Sequence, residues 1–318
     1  MLIGNYFKKI NLKNKNHFFS GLSFNHKTCK KNNIFFAIKG NKKDGNKFIK
    51  SAIQNGAKTI VSNKNFQGIK NKILYIKSSN VRKSLAKTSY SICKFKPNNL
   101  IAVTGTNGKS SIANFYFQIL KLNNQKVASI GTLGIQTNTN KKATSNTTLD
   151  PVQLSNCLKN LKKEKINNVI LEASSHGLHQ NRLDGLDFKT GIFTNLSHDH
   201  LDYHKNFSQY LESKLYLFRT LLKKNSNVIT DRSIPEYKKI RNISLKRKLK
   251  INAIYDNNSI LKLISHEYIR EKQIIKINYK NYVYNLEINL INKIKIKNIL
   301  MSMIAAEKSN LKFKQIAN

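Results

Sequence analysis

The side chains with the clearest chemical use lie in Ile101-Ala102-Val103-Thr104-Gly105-Thr106-Asn107-Gly108-Lys109-Ser110-Ser111, where an apolar run enters a glycine turn and then a helical pattern. Backbone N–H groups of such a turn and the positive end of the following helix face a polyphosphate. Lys109 adds a point charge, and the Ser110 hydroxyl can ligate Mg²⁺. Only Thr106 and Asn107 separate Gly105 from Gly108, where the common phosphate loop has four residues, so a purely structural turn is the competing reading. Glu172 directly follows the apolar Val169-Ile170-Leu171. A lone acid at a strand end is commonly a cap, but beside a phosphate loop it can hold Mg²⁺ through oxygen. His198, His200 and His204 cluster with Asp199 and Asp202. Their spacing fits no zinc pattern, and His198 and His204 read as loop and surface residues. Lys214 sits in a helical pattern with Tyr210, Leu211, Leu215 and Leu217, where the plain reading is a solvated charge.

These residues need strand ends to hold them. The helix after the glycine turn is predicted from Ile112, Ala113, Phe115, Tyr116, Ile119 and Leu120 at helical spacing. Strands over 127–130, 169–172 and 191–195 alternate with helices over 151–163 and 208–223. That order predicts an α/β fold with a mostly parallel sheet and ligands at the carboxyl ends of its strands, where Glu172 and Asn195 stand. Upstream, strands over 34–38 and 59–61, a helix over 47–56 and another over 81–93 predict a small α/β unit. Pro97 and Asn98-Asn99 break the chain, placing a domain boundary near residue 95 and dividing it into 1–95 and 96–318. Alternating residues over 273–290 about Tyr279-Lys280-Asn281 predict an antiparallel hairpin, and a last helix runs from 299 to about 308.

The 318 residues carry 57 Lys+Arg against 16 Asp+Glu, a formal net charge of +41. The lysines are spread among asparagines and isoleucines from end to end. No helix-turn-helix, zinc finger or aromatic RNA-binding signature accompanies them, so only non-specific, salt-sensitive nucleic-acid binding is expected. Positive potential also favours capture of anionic substrates. Three separated cysteines, Cys29, Cys93 and Cys157, offer neither a disulfide framework nor a zinc pair, which fits a reducing cytoplasm. No apolar run approaches the roughly 18 residues of a membrane span, and 1–16 lacks a signal-type apolar stretch, so neither membrane insertion nor export is expected.

The shortened turn, with Thr-Gly-Thr-Asn ahead of Gly-Lys-Ser, resembles that of the Mur ligases, ATP-dependent enzymes that add amino acids to the peptidoglycan stem. Leu171-Glu172-Ala173-Ser174-Ser175-His176-Gly177-Leu178 and Phe193-Thr194-Asn195-Leu196-Ser197-His198-Asp199-His200-Leu201-Asp202-Tyr203-His204 resemble two central blocks of the members that add the third residue. The resemblance is strongest between 98 and 220 and weak after 230. It implies a uridine-binding N-terminal domain, a central P-loop ATPase domain, and ligation of meso-diaminopimelate or lysine to UDP-MurNAc-L-Ala-D-Glu through an acyl phosphate.

By the same resemblance, ATP is held by Gly105, Thr106, Asn107, Gly108, Lys109, Ser110 and Ser111, with Asn298 on the adenine side. Metal is held by Ser110, Glu172, His200 and Lys214, His200 serving a second Mg²⁺ and Lys214 being carbamylated by CO₂. Phe24, His26, Asn41, Asn146, Thr147, Thr148, Ser174, Gln180 and Arg182 stand at positions expected to contact the UDP-sugar dipeptide. The family's Asp-Ser-Arg signature is replaced by Asn25-His26-Lys27. The sequence stops at Asn318, ahead of the Gly-Arg motif and the C-terminal domain that orients the incoming amino acid. Three readings stay open: a chain that ligates as it is, one that works with a separate C-terminal domain, and a non-catalytic nucleotide- or nucleic-acid-binding remnant. A folylpolyglutamate-synthase-like ligase is the alternative enzyme.

Overall fold

The computed structural model describes residues 1–318 apart from 9, 41–42, 200–202, 257–258, 270–271, 290–295 and 318. Two compact units separate: Met1–Lys94 with Asp150–Cys157 and Gln180–Leu186, and the remainder from Phe95 onward.

In the first unit, β1 (Gly21–Ser23), β2 (Asn33–Phe36), β3 (Thr59–Ser62), β4 (Gly68–Lys70) and β5 (Ile73–Lys77) form a sheet of order β1-β2-β3-β5-β4. All its pairings are parallel except β4 with β5. The unbroken apolar stretch of β2 reflects burial on both faces. Ile34 and Phe36 join one core with Val61 and Leu85, and Phe35 joins another with Ile60 and Ala52. Helices α1 (Ile49–Gln54) and α2 (Val81–Ile92) cover them, α2 starting where the Asn80 side chain accepts from Lys83 N at 2.9 Å. A contiguous division at 95 leaves 150–157 and 180–186 in the later domain, but specific contacts bind them to α2. Ser155 Oγ donates to Ser89 O at 2.8 Å, and Tyr90 Oη to Arg182 O at 2.7 Å. Lys83 pairs with the buried Asp184 at 3.4 Å.

Beyond Lys94 the chain adds, in order, β6 (Asn99–Thr104), α3 (Lys109–Leu122), β7 (Val127–Gly131), β8 (Gly134–Thr137), β9 (Lys141–Lys142), α4 (Pro151–Lys163, its first half counted with the first unit), β10 (Asn168–Glu172), α5 (Ser175–His179), β11 (Phe188–Phe193), α6 (Phe207–Tyr216), β12 (Leu222–Asp231), α7 (Tyr237–Lys246), β13 (Lys250–Ile254), β14 (Leu261–Ile269), β15 (Lys272–Tyr279), β16 (Tyr282–Asn289), α8 (Ile296–Glu307) and α9 (Phe313–Ala317). The strands from β6 onward belong to the second unit. Its main sheet has the order β13-β12-β11-β6-β10-β7-β8-β9. From β13 to β7 the strands run parallel, while β8 pairs antiparallel with both β7 and β9. β6 lies between β11 and β10, so the turn that leaves it is flanked by the carboxyl ends of two parallel neighbours. Ile101 and Val103 of β6, Ile112 and Tyr116 of α3, and Leu300 and Ile304 of α8 share the core beneath that turn.

The helix expected over 208–223 stops as α-helix at Tyr216, widens into a π-helical turn at Leu217–Leu221 and becomes β12 at Leu222. Nothing in the sequence pattern marks β12, because its first half, Lys223-Lys224-Asn225, is exposed and burial resumes only at Ser226. The hairpin closes through Lys280 and Asn281, both at positive φ as a two-residue turn requires, and β14 extends it to three strands. No described helix is long and apolar enough to cross a membrane.

Candidate functional site

Gly105 and Gly108 bracket the turn between β6 and α3 at φ of +146° and +87°. A side chain at either position would also meet its neighbours, closely at Gly105 and less so at Gly108. A Cβ on Gly105 would lie 1.8 Å from Thr194 Oγ1, and one on Gly108 2.8 Å from Asn298 Oδ1. The turn is fastened to the end of β11: Thr106 N donates to Asn195 O at 2.9 Å, Asn107 N to Asn195 Oδ1 at 3.0 Å, and Thr194 Oγ1 to Asn107 O at 2.6 Å. The N-cap of α3 is Gly108, with no side-chain cap. Its first amides therefore keep the donor capacity that an anion takes up. Ser111 is exposed on the first turn of α3, and buried Asn298 wedges α8 against the loop.

Ser110 Oγ donates to Glu172 Oε2 at 3.0 Å. The same carboxylate accepts from Thr132 N at 2.9 Å and Thr132 Oγ1 at 3.1 Å, and Thr132 Oγ1 lies 3.2 Å from Thr147 Oγ1. Three strand ends thus meet at one acid: β6 through its turn, β7 through Thr132 and β10 through Glu172. Glu172 is only 2% exposed, and its Oε1 would lie 2.1 Å from a Cβ on Gly131, so that glycine makes room for it. Thr148 supports the backbone behind it. Its hydroxyl donates to Glu172 O at 2.8 Å and accepts from Ser174 N at 2.9 Å, while Ser174 Oγ accepts from Gly177 N at 3.1 Å. Thr148 and Ser174 are thus engaged in holding β10 and α5, and the neighbouring Asn146 is exposed.

Two lysines converge on Gly105 O. Lys109 Nζ donates to it at 2.9 Å and to Thr106 O at 2.8 Å, and Lys214 Nζ donates to it at 2.7 Å. Burial lowers the Lys109 ammonium's pKa, against the raising influence of Glu172 and Asp199. Lys214 is no solvated charge. It is 1% exposed, lies 4.3 Å from the Tyr210 ring centroid, and is pushed down to about 6 by burial first and then by repulsion from Lys109. Tyr210 in turn meets Thr106 Oγ1 at 3.1 Å.

His204, expected on the surface, is 2% exposed among the rings of His176, His179, Tyr203 and Tyr210. Apart from the adjacent Tyr203, the neighbouring rings come from α5 and α6, which a linear reading could not bring together. His198 is exposed, as its loop position implied. His200 and Asn41 lie outside the described residues, and among the described ones no group of three His, Cys, Asp or Glu side chains is placed to hold a metal.

In the first unit, Gln180 Oε1 accepts from Arg182 Nε at 3.2 Å, Arg182 Nη2 at 2.9 Å and Arg82 Nη1 at 3.4 Å. The His26 ring stacks on Phe48 with centroids 4.5 Å apart and planes 2° from parallel, and Phe24 is 41% exposed. The Asn25 side chain caps Lys27 N at 3.0 Å, a local turn bond. Thr132, Thr194, Tyr210 and Arg82 are the participants that sequence reasoning missed. The first two occupy strand-end positions next to glycine or asparagine, the one signal available.

The Mur ligase middle domain matches residues 103–306, and the domain described as Mur ligase family, catalytic domain, matches residues 19–92. The chain is 35% identical over 318 residues to UDP-N-acetylmuramoyl-L-alanyl-D-glutamate--2,6-diaminopimelate ligase of Rickettsia prowazekii (strain Madrid E), covering 95% of this chain and 63% of that one. It is 35% identical over 313 residues to the protein of the same name from Wigglesworthia glossinidia brevipalpis, covering 94% and 62%. A solved structure bearing that name superposes with a TM-score of 0.87 at 26% identity, over 100% of this chain and 65% of the other. Mycobacterium tuberculosis folylpolyglutamate synthase, complexed with ADP and AMPPCP, shares the fold alone, with a TM-score of 0.60 at 12% identity over 75% and 61%. The chain spans under two thirds of the length of these curated relatives. With the middle domain matched over residues 103–306, more than half of the chain, and with the glycine turn, Glu172 and Lys214 gathered within it, the chain belongs to the Mur ligase family.

Proposed function

We propose that this chain performs the activating half of an ATP-dependent amide ligation that joins diaminopimelate to UDP-MurNAc-L-Ala-D-Glu. The observation that carries the reading is the bonded set Ser110–Glu172–Thr132 at the mouth of a glycine turn, with Lys109 and Lys214 on the Gly105 carbonyl. Oxygen donors from Ser110 and Glu172 suit a hard cation, and the space kept by Gly131 lets the carboxylate sit there. Those two residues would hold Mg²⁺, with His200 and Lys214 as further candidates. Bound there, Mg²⁺ would offset negative charge on the phosphate oxygens.

The turn amides and the N-terminal amides of α3 take the phosphate oxygens, and Lys109 exchanges its two loop carbonyls for phosphate. An oxygen of the D-Glu carboxylate attacks the γ-phosphorus, the bond to ADP breaks, and an acyl phosphate forms. The amine of diaminopimelate then attacks the acyl carbon, phosphate leaves and the nitrogen loses a proton. A depressed pKa keeps Lys214 largely neutral at pH 7. Its lone pair attacks CO₂, the nitrogen loses a proton, and the carbamate places an anionic oxygen where a neutral amine stood. Phe24, His26, Asn41, Asn146, Thr147, Thr148, Ser174, Gln180 and Arg182 contribute to holding the UDP-sugar dipeptide. Arg182's planar fork is suited to a phosphate or carboxylate. We assign the uridine end to 1–95 and the nucleotide to 96–318.

The test is ADP release with UDP-MurNAc-L-Ala-D-Glu and diaminopimelate, with a relative's C-terminal domain added. ADP release that requires both substrates and disappears in Lys109→Ala is expected. Nucleotide binding without turnover in that mixture would contradict the ligase reading and favour a binding remnant. Turnover on a folate with glutamate instead would favour the folylpolyglutamate-synthase-like alternative.

A further inference from the structure

A cavity of about 690 Å³ opens in the second unit between α7, β13 and the start of β14. Its size falls within the range of small-molecule pockets, and it shares no residue with the glycine-turn cluster. The chemistry of its wall is unusual for this chain. Of 57 basic residues only seven are arginine, and Arg232 and Arg241 both line this one cavity. In a chain whose positive charge is carried mainly by scattered lysines, two guanidiniums in one concavity are a local feature, since planar forks bind tetrahedral oxyanions bidentately where ammonium groups supply point charges.

Asp256 organises one side. It accepts from Arg232 Nη1 at 2.8 Å and from Tyr237 Oη at 3.1 Å, which fixes a guanidinium and a phenol at the rim. That leaves Lys238 and Arg241, three residues apart on one face of α7, with no ion pair among the described residues. The wall therefore carries three cations against one carboxylate. Ile251 and Ile260 add an apolar strip beside them.

We propose that this cavity binds a small organic phosphate, with the phosphate held by Arg232, Lys238 and Arg241 and the organic body lying against Ile251 and Ile260. The proposal is independent of the ligase reading, because it uses none of that reading's residues.

Calorimetric titration of the full chain with phenyl phosphate, inorganic phosphate and benzoate tests it. Phenyl phosphate is expected to bind at one site, at least tenfold more tightly than either of the others. The double variant Lys238→Gln/Arg241→Gln should lose that binding tenfold or more and keep its response to ATP·Mg²⁺. Lys109→Ala should keep the phenyl phosphate site. A control pair, Lys121→Gln/Lys126→Gln, removes two exposed charges from and just beyond the end of α3 and should leave it unchanged. Equal losses in the control pair would reduce the effect to diffuse charge, and loss in Lys109→Ala would move it to the glycine turn. Either result overturns the proposal, as does a double variant that binds normally. Crystals soaked with 4-bromophenyl phosphate provide a second readout, with bromine beside Ile251 and Ile260 as the expected position and bromine elsewhere as the contrary one.

Discussion

The glycine-turn cluster of the second unit and the Gln180–Arg182 region of the first are both polar, but they are held in different ways. Around Glu172, the hydrogen bonds join the end of β10 to the end of β7 and to the first turn of α3, so the parallel sheet and the helix it feeds set the geometry. Around Gln180, one neutral amide oxygen accepts from two arginines, and the contacts stretch from 2.9 to 3.4 Å. A site that stabilises developing charge needs fixed dipoles, whereas one that grips a ligand can complete its geometry on binding. The contrast predicts that substitutions in the first region act on stability and nucleotide together. Those in the second should act on the sugar-peptide alone.

The largest effect is expected at Gly105. An alanine there combines a left-handed backbone with a contact of 1.8 Å to Thr194 Oγ1. Gly105→Ala should lose roughly 4 kcal/mol in chemical denaturation, from backbone strain and overpacking together. A loss below about 1 kcal/mol would mean the turn is far more plastic than the contact implies.

Lys214 sharpens the comparison through pH. Its ammonium titrates near 6 in the folded chain against an ordinary 10.5, so between these values the unfolded chain binds one proton more. Stability must therefore rise as pH climbs through that window. Lys214→Met should flatten the rise and stabilise the protein at pH 7 by about 1–3 kcal/mol, measured without bicarbonate, because folding no longer has to strip a proton from a buried lysine. An unchanged slope in the variant would place the lysine in water.

Arg182→Ala is the corresponding perturbation of the first unit. It should weaken UDP-MurNAc-L-Ala-D-Glu by roughly 2 kcal/mol while leaving the ATP-induced thermal shift intact. Equal losses for both ligands would erase the distinction between the regions. The smallest effect belongs to His26→Ala, which removes one ring of the stack on Phe48 and should cost about 1 kcal/mol of stability. No measurable change would show the stack to be incidental.

Much of this arrangement was legible in the sequence where burial was complete. β6, its turn and α3 stood out because Ile101 to Val103 and Ile112 to Leu120 keep their apolar periods through the lysine-rich composition. β12 did not, since Lys223, Lys224 and Asn225 cover the pattern that Val228 and Ile229 would otherwise start. Glu172 could be chosen as an isolated acid after an apolar strand, but its partner Thr132 could not, being forty residues away and joined only by strand order. The same limit hid the cage around His204 and the pairing of His26 with Phe48, each built from segments that meet only in three dimensions.

The central claim is that the turn and Glu172 form one nucleotide–metal site, and equilibrium binding of ATP measured with and without Mg²⁺ tests it most directly. The unmodified chain should bind ATP at least tenfold more tightly with Mg²⁺ than after chelation. Glu172→Gln should lose that metal dependence while retaining weak binding, and Lys109→Ala should lose binding under both conditions. ATP affinity that ignores Mg²⁺, or that is the same in all three proteins, would contradict the account.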